Sequence, residues 1–372
     1  MSATDVDTRV EIRPRRVRFA WDDTPLHWVH DAQTTHTINV LHLLLPAGER
    51  WFVELYRQVL PHVGDDRLRA DVKGFIGQEA THARAHAAVL DHLAAQGVDT
   101  TPYTRRIEWL FDRLLGDAPL GLRVRGTPAR WWTRHRLAVI AAIEHFTAAL
   151  GGWLLAARAF DDPATSATPP TTGASIDPAL PAGTPAPGRT AGTPMPGTTT
   201  GSGTPAGTAG TAGRGASGEA VTTPGPAAGG GLAAPPDPVM LDMLRWHAAE
   251  EVEHRAVAFE LFEDQGGGYA ERVLATLEVV PVMAWLWVSG TAFLMKHDPT
   301  QPGRPTVGAF RRAARAGWLP SLGELARMIP PYLRPGHHPL QDGSTAAAVA
   351  YLARSPAARA AGRGAARAEG DG

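Results

Sequence analysis

Apolar residues recur along this chain at spacings of three and four, and no stretch alternates convincingly between apolar and polar. The pattern predicts helices and no strands. They fall near 46–62, 66–96, 104–115, 128–160, 237–264, 269–297 and 308–330. Thr127-Pro128 and Asp237-Pro238 read as N-caps followed by Pro in the first turn, and QGGG at 265–268 ends the fifth helix. Residues 161–236 are almost wholly Pro, Thr, Gly, Ala and Ser, a composition that cannot bury enough apolar surface to offset its ordering entropy. A disordered linker is expected there. It interrupts one helical domain, 1–160 and 237–335, because neither flank looks self-sufficient. The segment 336–372, ending SPAARAAGRGAARAEGDG, is expected to be a loose tail.

In four of these helices the apolar stripe is broken by charge. In helix 237–264, Met240, Leu244, His247, Glu251, His254, Ala258 and Leu261 share one face, apolar at both ends and charged in the middle. Glu253 falls opposite Glu251 and is expected on the wet face, while Glu250 sits at the stripe's edge. Helix 66–96 repeats the arrangement with Val72, Phe75, Glu79, His82, His86, Val89 and Leu93. A charge turned toward a core needs a partner or a metal. One Glu-x-x-His pair is weak evidence, but two, each centred on an apolar stripe, are much stronger.

Two further acids are then expected on two further helices. Helix 128–160 supplies Glu144, the only acid between Asp117 and Asp161, on a stripe with Leu137, Ile140, Thr147, Gly151 and Leu154. Helix 46–62 offers two. Glu49 runs with Phe52, Tyr56 and Val59 and faces in, whereas Glu54 runs with Arg50, Arg57 and Gln58 and faces out. Glu49, Glu79, His82, Glu144, Glu251 and His254 together match the ligand plan of carboxylate-bridged dimetal bundles. Four carboxylates balance two divalent cations. Hard oxygen donors mixed with imidazole suit iron first, with manganese or zinc also open. The competing reading is a set of buried Glu–His and Glu–Arg pairs, against which four aligned instances weigh heavily.

His86, His247 and Glu250 each lie within a turn of these positions. They are candidates for further ligation, for orienting a ligand, or for general acid–base work. An ordinary buried histidine is an equal reading for His86 and for His247. His145 is a candidate for orienting a ligand. His297, His337 and His338 lie near loops and are assigned no role.

Composition narrows the rest. The 372 residues contain no cysteine, which excludes disulfides, iron–sulfur clusters and thiolate zinc sites. A net charge of −1 gives no electrostatic reason to expect nucleic acid or an anionic membrane. The stretch MSATDVDTRVEIRPRRVRF has no apolar core of the signal-peptide kind, so a cytoplasmic location is expected. The apolar run 279–295 sits at the lower edge of spanning length, with Glu278 before it and Pro281 inside. It is read as a buried core helix rather than a membrane span. Lining a pocket for a small hydrophobic substrate is a lesser reading of the same Trp- and Met-rich helix. A homo-oligomer is compatible with the sequence.

Four stretches also resemble the bacterial family described as predicted metal-dependent hydrolases, a ferritin-like group of helical proteins. They are LPAGERWF at 45–52, FIGQEATHARAH at 75–86, LAVIAAIEHFTAALG at 137–151 and WHAAEEVEHRAVAFELF at 246–262. The family's acid in the first block corresponds to Glu49. The resemblance implies an all-α, ferritin-like four-helix bundle with extra C-terminal helices, and a metal-dependent hydrolase. The long Thr/Pro/Gly insertion departs from the family pattern without putting a ligand in doubt. The ligand set itself argues as well for a non-haem di-iron oxidase or oxygenase. A metal-storage protein without turnover is a third reading, but no surface acid cluster supports it.

Overall fold

The computed structural model describes residues 9–123, 125–161 and 235–370. The linker expected at 161–236 lies, apart from its ends, outside the described residues. Among those residues the helices are α1 (Ala32–Val59), α2 (Asp66–Ala95), α3 (Thr101–Trp109), α4 (Thr127–Ala156), α5 (Pro238–His254) and α6 (Val257–Asp264). They continue with α7 (Tyr269–Lys296), α8 (Val307–Arg315), α9 (Leu322–Tyr332), α10 (Thr345–Arg354) and α11 (Pro356–Gly370). The fold is all-α, as the periodicity requires.

Helix α1 packs along α2 and α4 along α5, while α2 also meets α5 and α6, and α7 lies against α1 and α4. The core between them is filled by Leu43, Phe75, Leu137, Ile140, Met243 and Phe262, all fully buried. Helices α4 and α5 approach closely because Gly151 has no side chain: a Cβ there would meet the Ala248 carbonyl oxygen at 2.7 Å.

Several boundaries differ from the sequence reading, each for a local reason. Helix α1 begins at Ala32, not near 46, with the Asp31 carboxylate accepting from the Thr34 N–H at 2.8 Å. Its first half buries Thr34, Thr35, His36, Asn39 and His42 beside Ala32, Val40, Leu43 and Leu44, so polar residues interrupt its apolar stripe. Pro46, at the edge of the expected helix, lies inside α1. The helix expected at 237–264 breaks at Arg255 and Ala256, directly after His254. There the buried Arg255 guanidinium donates to the Val252 and Pro339 carbonyls and the Thr345 hydroxyl. The helix expected at 308–330 is two: Gly317 takes a positive φ of 81° after α8, and Ser321 with Glu324 forms a capping box that starts α9.

Where a loose tail was expected at 336–372, the described residues 336–370 hold the helices α10 and α11. Helix α10 packs against α5, and Ala348, Tyr351, Leu352 and Ala358 bury against Trp246, Ala249 and Val252. The Tyr351 hydroxyl donates to Asp242 Oδ1 at 2.8 Å, and the Ala357 N–H donates to Asp242 Oδ2 at 3.0 Å. The Ala/Arg-rich composition hid a short stripe, Ala348, Tyr351 and Leu352, at spacings of three and four. Deleting 344–372 is expected to lower stability by up to roughly 3–6 kcal/mol, the value of burying Tyr351 and Leu352. Thermal unfolding of the truncated chain checks this, and an unchanged melting temperature would contradict it.

The apolar helix at 279–295 also departs from expectation. Helices α4 and α7 are both long and apolar enough to cross a membrane, but α4 is largely covered while only 28% of the α7 window is buried. One face of α7 packs through Ala275, Val279, Leu286 and Leu294. The other leaves Leu277, Trp285 and Val288 about two-thirds exposed. It is a half-covered helix, not plain core.

The N-terminal segment runs extended over α2. A Cβ on Gly74 would collide with the Ile12 carbonyl, and one on Gly77 would lie 2.8 Å from Pro14 Cγ. These two glycines, one turn apart, give the segment its seat and so bring Arg15 to the bundle.

Candidate metal centre

The six residues predicted as ligands converge. Glu49 comes from α1, Glu79 and His82 from α2, Glu144 from α4, and Glu251 and His254 from α5; none is more than 4% exposed. Glu49 is buried and Glu54 exposed, as their helical faces predict. His82 Nδ1 lies 3.2 Å from Glu79 Oε1 and 3.6 Å from Glu251 Oε1. His254 Nε2 lies 3.2 Å from Glu144 Oε2 and 3.5 Å from both Glu79 Oε1 and Glu251 Oε1. Glu79 and Glu251 thus stand between the two imidazoles.

These atoms are conspicuously short of hydrogen-bond partners. Both oxygens of Glu49 and of Glu79, Oε2 of Glu144 and of Glu251, His82 Nδ1 and His254 Nε2 are buried and unsatisfied. Such groups are costly to leave without a partner. The inward side of the cluster is orphaned while its outward side is fully bonded.

The outward side explains how the rings are aimed. His82 Nε2 bonds Glu250 Oε2 at 2.9 Å, and Glu250 also accepts from Trp246 Nε1 and Arg15. His254 Nδ1 bonds Gln78 Oε1 at 3.0 Å, and Gln78 Nε2 donates to Glu253 at 3.2 Å. Arg15 closes the ring of contacts, donating to Glu250 at 2.8 Å and to both oxygens of Glu253 at 2.7 and 2.9 Å. Glu253 is therefore not on a wet face: it is buried against the N-terminal segment. Sequence reasoning missed Gln78 and Arg15. Gln78 was findable, lying on the Phe75 and His82 face of α2. Arg15 was not, since an extended segment has no helical period to locate it.

A line of imidazoles leads away from Glu251. His247 Nε2 lies 2.8 Å from Glu251 Oε1, His86 Nε2 is 2.8 Å from His247 Nδ1, and His42 Nδ1 is 2.8 Å from His86 Nδ1. The Glu251 carboxylate accepts, so the consistent tautomers point every N–H toward it and leave His42 Nε2 bare. His247 Nε2 also lies 3.7 Å from Glu49 Oε1, and donor atoms of Glu49, His86 and His247 come within 4.8 Å of one another. His42 was also missed, although it lies two turns before Glu49 on the same face of α1. His145, expected near a ligand, turns away: its Nε2 bonds the Met328 carbonyl at 2.7 Å and its ring stacks on Tyr332.

Burial and mutual repulsion set the protonation of the cluster. Burial, then the Glu79 charge, holds Glu49 well above the ordinary carboxylate range, and burial with the Glu251 charge pushes Glu144 up to about 8. Burial acts against the charged forms of His82, His254 and Glu251, but their partners outweigh it. The Glu250 bond and the nearby Glu79 charge raise His82, the Glu251 charge raises His254, and His254 with His247 lowers Glu251. Burial and neighbouring imidazoles keep His86 and His247 below their ordinary value. In the metal-free protein the cluster thus holds protons among its carboxylates in place of cations. Its oxygen and nitrogen donors, four acids balanced against few fixed positive charges, fit divalent metal.

Searches of curated proteins and of solved structures find no match to the chain. The family model described as predicted metal-dependent hydrolase matches residues 13–168 and 229–343, and so takes in every residue of this cluster. The chain belongs to the predicted metal-dependent hydrolase family.

Proposed function

We propose that this protein is a metal-dependent enzyme whose centre is dinuclear, carried by Glu49, Glu79, His82, Glu144, Glu251 and His254, with hydrolysis as its reaction in keeping with the family description. The observation that supports it best is the set of unsatisfied, inward-facing donor atoms with a fully bonded outer side. Four carboxylates match the charge of two divalent cations, iron first by donor type, manganese or zinc next. Such a pair supplies Lewis acidity toward a small substrate and lowers the pKa of water, and as iron it also supplies electrons.

The chain's own residues have separable tasks. Glu79 and Glu251 would help to hold both cations, since each lies near both imidazoles. Glu250 and Gln78 are positioning residues: each fixes the outer nitrogen of one ligand histidine, so the other nitrogen faces the metals. His247, His86 and His42 would pass a proton along their ring contacts to or from Glu251.

Oxidative chemistry, that of a di-iron oxidase or oxygenase, is the second reading, and one observation favours it. None of the six proposed ligands is more than 4% exposed. A centre so buried suits dioxygen and a small reactant better than a bulky ester. Two assays separate the readings: dioxygen uptake by protein loaded anaerobically with ferrous iron, and turnover of an ester, amide and phosphoester panel by the manganese or zinc form. Hydrolysis without dioxygen uptake supports the first reading; stoichiometric uptake with no hydrolysis replaces it with the second.

Metal loading should release protons, because Glu49, Glu144, His82 and His254 all have raised values in the metal-free fold. The sign follows: affinity rises with pH and is lost as acid restores those protons. Titration calorimetry in buffers of different ionisation heat reads the release. Identical heats in both buffers would contradict it.

A further inference from the structure

We propose that His145, His337 and Asp342 form a second, mononuclear zinc site at the edge of an apolar pocket, independent of the dinuclear reading. His145 follows Glu144 but points about 100° away from it around α4, while His337 and Asp342 come from the loop between α9 and α10. One donor atom of each comes within 4.8 Å of the others. Asp342 Oδ2 lies 3.7 Å from His145 Nδ1 and 3.4 Å from His337 Nε2. Bonds of zinc length in a tetrahedron place donors roughly 3.3 Å apart, so small movements would close the site.

Two observations beyond proximity point to a cation. His337 Nε2 is buried and has no hydrogen-bond partner, and neither has Asp342 Oδ2. The two atoms lie 3.4 Å apart. On His145, the bond from Nε2 to the Met328 carbonyl fixes the proton on that nitrogen and leaves the Nδ1 lone pair facing Asp342. The loop is held in place without help from metal. Arg272 donates to the Arg334 and His337 carbonyls, and Arg255 donates to that of Pro339. Arg272 lies over the Tyr332 and Phe259 rings, and Arg255 and Arg334 also act on the Asp342 carboxylate.

Two imidazoles and one carboxylate leave a fourth position open, which is the form of a catalytic rather than a structural zinc site. His145 and Asp342 line a cavity of about 490 Å³ whose other walls include Ala148, Leu155, Val252 and Met328. That volume suits a small apolar ligand. The sequence offered no sign of this site, because His337 and Asp342 lie in a loop and His145 stands apart from them.

The test uses cobalt as a spectroscopic substitute for zinc in the full chain. A Glu144→Ala/Glu251→Ala variant, which removes the dinuclear centre, should still bind one cobalt with the strong visible bands of four-coordinate geometry. Adding Asp342→Ala or, separately, His337→Gln should weaken that binding by at least about a hundredfold, with circular dichroism confirming the fold. A folded double variant that binds no cobalt, or whose cobalt spectrum ignores both added substitutions, overturns the site. A wild type holding a single cation that is lost in Asp342→Ala would keep this site and sink the dinuclear one.

Discussion

Glu144→Ala and Glu251→Ala are each expected to abolish dinuclear metal binding, while Glu54→Ala leaves it whole. Glu144 is the α4 acid closest to His254, at 3.2 Å, and Glu251 lies within 3.6 Å of both ligand histidines. Removing either deletes a donor and leaves two cations facing three carboxylates. Glu54 is exposed on the far side of α1 and touches none of this. Glu253→Ala should fall between the extremes. It removes the partner of Gln78, which aims His254, and outer contacts of that kind are worth about 10–100-fold in metal affinity. Metal analysis after reconstitution and gel filtration reads all four variants. Equal losses from all four would show that the helical faces are misassigned.

Arg15→Ala should be the most damaging substitution outside the ligands. Its guanidinium donates to Glu250 and Glu253, whose side chains are 0% and 3% exposed. Without it two buried carboxylates face one another with no fixed cation between them. Breaking a buried pair costs about 3–5 kcal/mol, and Arg15 is itself a quarter exposed, so about 3 kcal/mol is expected. Metal affinity should fall about 10–100-fold too, because Glu250 aims His82 and Glu253 braces Gln78. Arg15→Lys should recover only part of either loss, since a point charge cannot reproduce a fork that spans two carboxylates. Thermal unfolding of the metal-free protein and metal titration give the two numbers. A variant with wild-type stability and affinity would show that the N-terminal segment plays no part in the centre.

The buried cluster was legible in the sequence because a charged residue on a helix face is conspicuous when its neighbours three and four away are apolar. That contrast separated Glu49 from Glu54 and singled out Glu144. It failed wherever the buried face was itself polar. The first half of α1 packs Thr35, His36, Asn39 and His42 inward, so neither its start nor the role of His42 showed. It misled for Glu253, since angle alone cannot tell solvent from a second layer of protein. The layer there is the extended segment carrying Arg15, seated by Gly74 and Gly77, and those glycines read only as helix interior. Helix α10 was hidden by its alanines, which bury well but look like a linker. The His145, His337 and Asp342 cluster depends on a loop closing onto a helix, and no local pattern encodes that contact.

The central claim is that two cations share this one buried cluster. Protein loaded anaerobically with ferrous iron, freed of loose metal and studied by X-ray absorption addresses it directly. The account predicts a metal–metal vector at about 3.5–4 Å that disappears in Glu251→Ala. Iron retained with no metal–metal vector, or a vector unchanged by that substitution, would contradict it.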